Sequence, residues 1–146
     1  MADATVYGIT GEDEKMTYGA LNQYKQSAVL TATPEELTLM LYDGGIKFMN
    51  IAKYNMEQDR LENAHVALIR AQDIVLELMT TLNMEYEVSN NFEELYQFVM
   101  DSLVLANIDK DIKPIEEALD IFSDMRDTWK EAMQDVRKRV YRNRQV

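Results

Sequence analysis

The sequence predicts an all-α protein, an antiparallel up-and-down four-helix bundle with a short extra N-terminal helix or cap. Three observations carry that prediction. Apolar residues recur in alternating steps of three and four over four long segments. Helix-start signals precede those segments, and only short polar breaks join them, which makes sequential helices antiparallel neighbours. No run of alternating Val, Ile or Thr between glycines competes as a strand, and the 146 residues include only 5 Gly and 2 Pro.

Residues 1–15 are polar, acidic and glycine-containing, and read as a disordered leader. Met16 to Val29 is a short helix candidate, with Leu21, Tyr24 and Ala28 at helical spacing and Tyr18 nearby. The first long helix starts at Pro34, with Thr33 as N-cap and Glu36 placed to close a capping box, and runs to about Glu57. Asp59 is the expected cap of the second helix, with Glu62 closing its box. Leu61, Ala64, Leu68, Ala71, Val75, Leu78 and Leu82 form its seam.

Polar residues from Asn83 to Asn91 break the pattern, and Ser89 or Asn90 can cap the third helix, whose buried stripe is Val88, Phe92, Leu95, Val99, Leu103 and Ala106. After the turn Asp109-Lys110-Asp111, Pro114 falls in the first turn of the last helix, where no backbone hydrogen bond is lost. Its seam is Ile112, Ile115, Leu119, Phe122, Trp129, Met133, Val136 and Val140, interrupted by Arg126. The domain reading is a leader over 1–15, one helical bundle over 16–140 and a basic flexible tail over 141–146.

Composition narrows the function classes. With 47% hydrophobic residues, the chain can build one core. It has no Cys, so disulfides and thiolate chemistry are excluded. The N-terminus lacks a basic segment followed by an apolar run, and no stretch approaches the ~18 apolar residues of a membrane span, so the reading is cytoplasmic without direct membrane insertion. A net charge of −11 argues against nucleic acid as a partner. Arg137, Lys138, Arg139, Arg142 and Arg144 crowd the C-terminus, where cations suit the helix dipole and can also meet an acidic partner.

Chemistry-bearing motifs are missing, so the expectation is a non-enzyme without metal or cofactor. Glu62 and His65 have the spacing of half a di-iron carboxylate site, but His65 is the sole His, so the second Glu-x-x-His pair cannot exist. Ser27, Ser89, Ser102 and Ser123 have no supporting nucleophile motif, and no glycine-rich phosphate cradle is present. Gly44-Gly45 sits inside a helical pattern, which suits either close helix packing or the approach of a partner helix.

The informative surplus is apolar. Rotating the first long helix by about 100° per residue separates two stripes: Leu37, Leu41, Phe48, Ile51 and Ala52 on one side, Leu39, Tyr42, Ile46, Met49 and Met56 on the other. One stripe fills a core, which leaves Leu39, Tyr42, Ile46 and Met49 to spare. Ile69, Ile74 and Leu76 are surplus on the second helix, and Tyr96 and Met100 on the third. Such a set marks a binding groove, or else a broad core face. Tyr18, Leu21 and Tyr24 form an N-terminal cap that can cover a groove until a larger amphipathic ligand displaces it.

Several runs resemble a known family. Ala28 to Leu37 followed by Leu39-Met40-Leu41-Tyr42-Asp43-Gly44, Ile69 to Val75, Leu95 to Val99 with Ala106-Asn107, and Arg126 to Lys130 are similar, in order and spacing, to the flagellar secretion chaperone FliS family. The longer acidic leader and Phe98, where the family often has Tyr, depart from its pattern. The resemblance implies a cytoplasmic export chaperone. It would bind the disordered C-terminal region of flagellin, prevent premature polymerisation and present the subunit to a component of the flagellar type III export gate. By motif position it implies a partner surface of Tyr24, Tyr42, Ile46, Ile74, Leu78, Tyr96, Met100 and Asn107. Leu78 also lies on the seam, and Asn107 equally suits a helix C-cap. The competing reading is a helical structural or dimerisation module without a secreted client.

Overall fold

A computed structural model describes residues 31–82 and 88–145. Among them are four helices: α1 (Pro34–Glu57), α2 (Leu61–Thr80), α3 (Val88–Asp109) and α4 (Ile112–Gln145). Each packs on two neighbours, α1 on α2 and α4, and α3 on the same two, which closes an up-and-down ring. The leader and the Met16–Val29 segment lie outside the described residues.

Local chemistry explains the boundaries. Thr33 has extended φ and ψ, and its hydroxyl accepts from the Glu36 N–H at 3.2 Å, as an N-cap should. The Glu36 carboxylate meets Arg137 of α4 at 3.2 Å. At the other end of α1, Asp59 adopts φ 59°, its N–H bonds the Met56 carbonyl at 3.1 Å, and the Arg60 N–H reaches back to the Asn55 carbonyl at 2.8 Å. This Schellman closure needs a left-handed residue, a geometry Asp tolerates better than most side chains. Asp59 therefore ends α1 rather than capping α2, whose N-cap is Arg60 without a side-chain cap bond.

Lys110 plays the same left-handed part after α3, with the Asp111 N–H bonded to the Ala106 carbonyl. Asp111 then accepts from the Lys113 N–H at 3.1 Å and starts α4. Ser89 and Asn90 fall inside α3, since that helix begins at Val88.

The core is a set of heptad seams. Tyr42, Gly45, Met49, Ala52 and Met56 bury one face of α1. Ala64, Ala67, Leu68, Ala71, Val75 and Leu78 answer from α2, where three alanines let the helix axes approach closely. Tyr96, Val99, Leu103 and Ala106 come from α3, and Ile115, Ala118, Phe122 and Met125 from α4. Ala118 and Met125 are the α4 core residues that sequence spacing missed. Arg126 sits beside Met125 and pairs outward with Asp127 at 2.9 Å and with Asp43 of α1 at 3.4 Å.

α4 outruns its neighbours. At about 1.5 Å per residue, its 34 residues span ~51 Å, against ~30 Å for the 20 of α2. Residues 134–144 are exposed, and the helix continues through the segment that the sequence suggests is a flexible tail.

Candidate functional site

The α1 stripe that sequence patterning leaves to spare is the one the core uses. Tyr42 and Met49 are fully buried, and Leu39 and Ile46 half-buried. Gly45 decides the outcome. A Cβ there would lie 2.6 Å from the Phe122 ring, so only glycine lets that ring press onto the α1 backbone. Of the two readings of Gly44-Gly45, close packing is what the structure shows at Gly45. Of the other stripe, Leu37, Leu41, Phe48 and Ile51 are half-buried, and Ala52 is fully buried in the core. Leu37 and Leu41 line an open cleft of about 540 Å³ with Met40, Glu77 and Thr81, and Arg70 lies 5.7 Å over the Phe48 ring.

Tyr42 anchors a polar contact inside this core. Its ring lies 5.0 Å from that of Phe122, and its hydroxyl hydrogen-bonds the Tyr96 hydroxyl across the bundle. Burial pushes the Tyr42 phenol far above its ordinary value, and the neighbouring Tyr96 adds to the rise. Burial raises Tyr96 as well, against a lowering effect of the bond to Tyr42. Tyr42, Tyr96 and Leu78 therefore hold the helices together and, in this state, offer no surface to a partner. Tyr18, Leu21 and Tyr24 lie outside the described residues.

The four other candidate residues are half-buried but dispersed. Ile46 is one heptad before Lys53, which pairs with Glu116, so Ile46 flanks α4. Ile74 touches the Gly44-Gly45 step and flanks α1. Met100 and Asn107 flank α2, because the Asn107 side-chain oxygen lies 3.1 Å from Nδ1 of His65. That oxygen also accepts from the Lys110 ammonium. Among the described residues, no three His, Asp or Glu side chains converge as a metal site would require.

Among the described residues, partly exposed apolar side chains also run along the α2–α3 side. Leu61, His65, Ile69, Gln72 and Leu76 follow one flank of α2, and Met100, Val104 and Asn107 the facing flank of α3. Leu61 is 41% exposed, Leu76 52%, and Ile69 and Val104 both 38%. In a chain of net charge −11, none of these positions carries an Asp, Glu, Lys or Arg. An apolar strip of this composition suits a polypeptide with apolar side chains, with the Lys110 ammonium at its Asn107 end.

Sequence reasoning identified Ile69, Leu76 and Met100 as surplus, placed Leu61 on a buried seam, and missed Val104. The steps of four and three from Met100 to Val104 to Asn107 were the available signal. No described helix is long and apolar enough to cross a membrane.

Comparison with known proteins agrees with this architecture. Residues 16–136 match the family described as Flagellar protein FliS. The chain is 44% identical over 115 residues to the flagellar secretion chaperone FliS of Bacillus subtilis, covering 79% of this chain and 86% of that one. It is 32% identical over 109 residues to the protein of the same name from Salmonella typhimurium, covering 73% and 81%. A crystal structure of a bacterial flagellar chaperone superposes with a TM-score of 0.66 at 18% identity, covering 82% of this chain and 98% of its own, a likeness of fold. The four-helix architecture and the extent of these matches lead to one conclusion: the chain belongs to the FliS family of flagellar secretion chaperones.

Proposed function

We propose that this protein is a non-catalytic cytoplasmic chaperone that binds the C-terminal region of flagellin, keeps it from polymerising before export and presents it to a component of the flagellar type III export gate. What supports the reading is the strip of partly exposed apolar side chains along the facing flanks of α2 and α3, Leu61, Ile69, Leu76 and Val104, on a chain of the FliS family. A segment that later packs helix-to-helix in a filament carries apolar stripes, and a strip of Leu, Ile, Val and Met can shield them without covalent or nucleotide chemistry.

Met100 and Asn107 line the strip with Leu61, Ile69, Leu76 and Val104. Ile46 and Ile74 offer half-buried apolar side chains beside α4 and α1, and Tyr42, Leu78 and Tyr96 hold the helices together from within. Tyr18, Leu21 and Tyr24 act as the cap that yields to the client. Deleting residues 1–26 is expected to raise affinity for a flagellin C-terminal peptide and to expose apolar surface to a hydrophobic dye.

Light scattering and calorimetry with that peptide test the central reading. A one-to-one complex is expected, weakened by Ile69→Asp or Val104→Asp. A chain that stays dimeric and ignores the peptide would instead be a dimerisation module without a client.

A further inference from the structure

The core seam of α4 does not stop where the bundle stops. Phe122 and Met125 are buried, and Trp129 and Met133 half-buried. In the same steps of three and four, Val136 and Val140 follow, 57% and 45% exposed. The start of α1 explains the change. Its first turn is fastened to α4 by the Trp129 indole N–H, which donates to the Glu35 carbonyl at 3.2 Å, and by the Arg137–Glu36 pair. Thr33, Trp129, Met133 and Val136 share an open cleft of about 290 Å³ at that junction. From there outward the seam runs along the overhang as an apolar stripe at the surface.

The stripe has basic flanks. At about 100° per residue, Arg137 and Arg144 lie along one side of Met133, Val136 and Val140, and Arg139 along the other. Lys138 and Arg142 lie on the back of the helix. Residues 136–145 contain no carboxylate. Among the described residues, Arg137 is the last cation of α4 with an ion pair. Cations near a helix C-terminus suit the dipole, but the dipole acts on every face alike and does not bracket an apolar stripe with arginine.

Met133, Val136 and Val140 occupy the a and d positions of one half of a coiled coil, and Arg137, Arg139 and Arg144 its e and g positions. Charges at e and g choose the partner. Two overhangs from two copies would set arginine against arginine in either orientation. An anionic bilayer would meet a narrow stripe on a chain of net charge −11. We propose that the α4 overhang is a docking site for an amphipathic helix of another protein, one whose apolar stripe is flanked by aspartate and glutamate. The incoming helix continues the bundle beyond the start of α1, with its end lodged in the Trp129–Val136 cleft. The site lies off the α2–α3 strip and stands or falls separately from the client assignment.

Fluorescence anisotropy with a labelled synthetic helix tests it. The probe has about three heptads with Leu at a and d and Glu at e and g, and its own glutamates keep it from self-pairing. Binding to the full chain is expected at about 50 mM salt, about tenfold weaker at about 500 mM, and absent when Lys replaces the probe's Glu. Arg139→Glu with Arg144→Glu, on the flanks, should weaken binding about tenfold or more and admit the Lys probe instead. Lys138→Glu with Arg142→Glu, the same charge change on the back, should weaken it far less. Val136→Ser with Val140→Ser should also abolish binding, with circular dichroism showing equal helicity throughout. Equal losses from the flank and back pairs would reduce the effect to unspecific attraction and overturn the docking site. Loss of binding in Ile69→Asp would place the probe on the α2–α3 strip and equally overturn it. So would an acidic probe that fails to bind while the overhang pairs with a second copy in sedimentation or binds phosphatidylglycerol vesicles.

Discussion

Two apolar stripes of similar appearance in the sequence have opposite fates. Tyr42 and Met49 on α1 end up with no exposure, while Ile69 and Leu76 on α2 remain 38% and 52% exposed. Hydropathy does not separate them. What does is a neighbour without a side chain. Gly45 lies on the face of Tyr42 and Met49 and admits Phe122, so that α4 closes over the stripe. The outer flank of α2 has no such opening toward a third helix, and its apolar side chains stay at the rim. A missing side chain thus marks a face already taken from within the molecule, and substitutions on the two faces should behave differently.

The largest effect on the buried side comes from filling that opening. Gly45→Ala sets a methyl group 2.6 Å and 3.0 Å from two Phe122 ring atoms, in a ring already packed on Tyr42. Overpacking of this kind costs ~1–3 kcal/mol, which outweighs the ~1 kcal/mol that alanine gains in helix propensity. Its neighbour is the control. At Gly44 the nearest atom is the tip of the Ile74 side chain at 3.3 Å, which can give way, so Gly44→Ala should leave stability unchanged or raise it by up to ~1 kcal/mol. Urea unfolding of the pair reads the difference directly.

The tyrosine pair comes next. Tyr42→Phe leaves the Tyr96 hydroxyl buried without its partner, at a cost of ~1–3 kcal/mol. Replacing both by Phe removes donor and acceptor together and should cost less than the sum of the single changes. Failure of that coupling in a double-mutant cycle would remove the hydrogen bond as the reason for the pair.

The same pair sets an alkaline limit. The folded state holds both phenols protonated above their ordinary value near 10, while the unfolded chain releases those protons there. Their contribution is therefore complete below pH ~10 and is lost as pH climbs toward the raised folded values. Each phenol adds a slope of up to ~1.4 kcal/mol per pH unit. Denaturation midpoints should stay level from pH ~7 to ~9 and fall above ~10, with a shallower fall in Tyr42→Phe.

Much of this was legible in the residues. The four helices, the Thr33 cap and the seam of α2 follow from periodicity and capping chemistry, both local properties. The α1 core face was not legible, because two stripes on one helix are equivalent until the partner that chooses between them is known. Met125 was displaced by Arg126 in the reading because one step of three or four is ambiguous where a charge interrupts a seam. Asp59 misled because the same residue type suits an N-cap and a left-handed helix end. The α2–α3 strip was half visible. Ile69, Leu76 and Met100 stood out as surplus, but only the His65–Asn107 contact shows that α2 and α3 present them to one space. Asn55, fully buried with its side-chain N–H₂ on the Ile51 carbonyl, gave no signal in the pattern.

The smallest expected effect on stability makes the sharpest contrast. Leu76→Asp changes a side chain 52% exposed, on a flank away from Phe122, so its urea midpoint should move by no more than ~0.5 kcal/mol equivalent. Met49→Asp, on the stripe that looked alike, buries a charge without a partner and should leave the chain largely unfolded. The two substitutions carry the same chemistry to positions of similar hydropathy. If the α2–α3 strip is the working surface, Leu76→Asp should also weaken binding of the flagellin peptide by tenfold or more, as an aspartate would enter the client interface without a counter-charge. A folded Leu76→Asp protein that binds the peptide as tightly as the parent chain would move the client off this strip. The open cleft between α1 and α2, lined by Leu37, Met40 and Leu41, would then be the next apolar face to test.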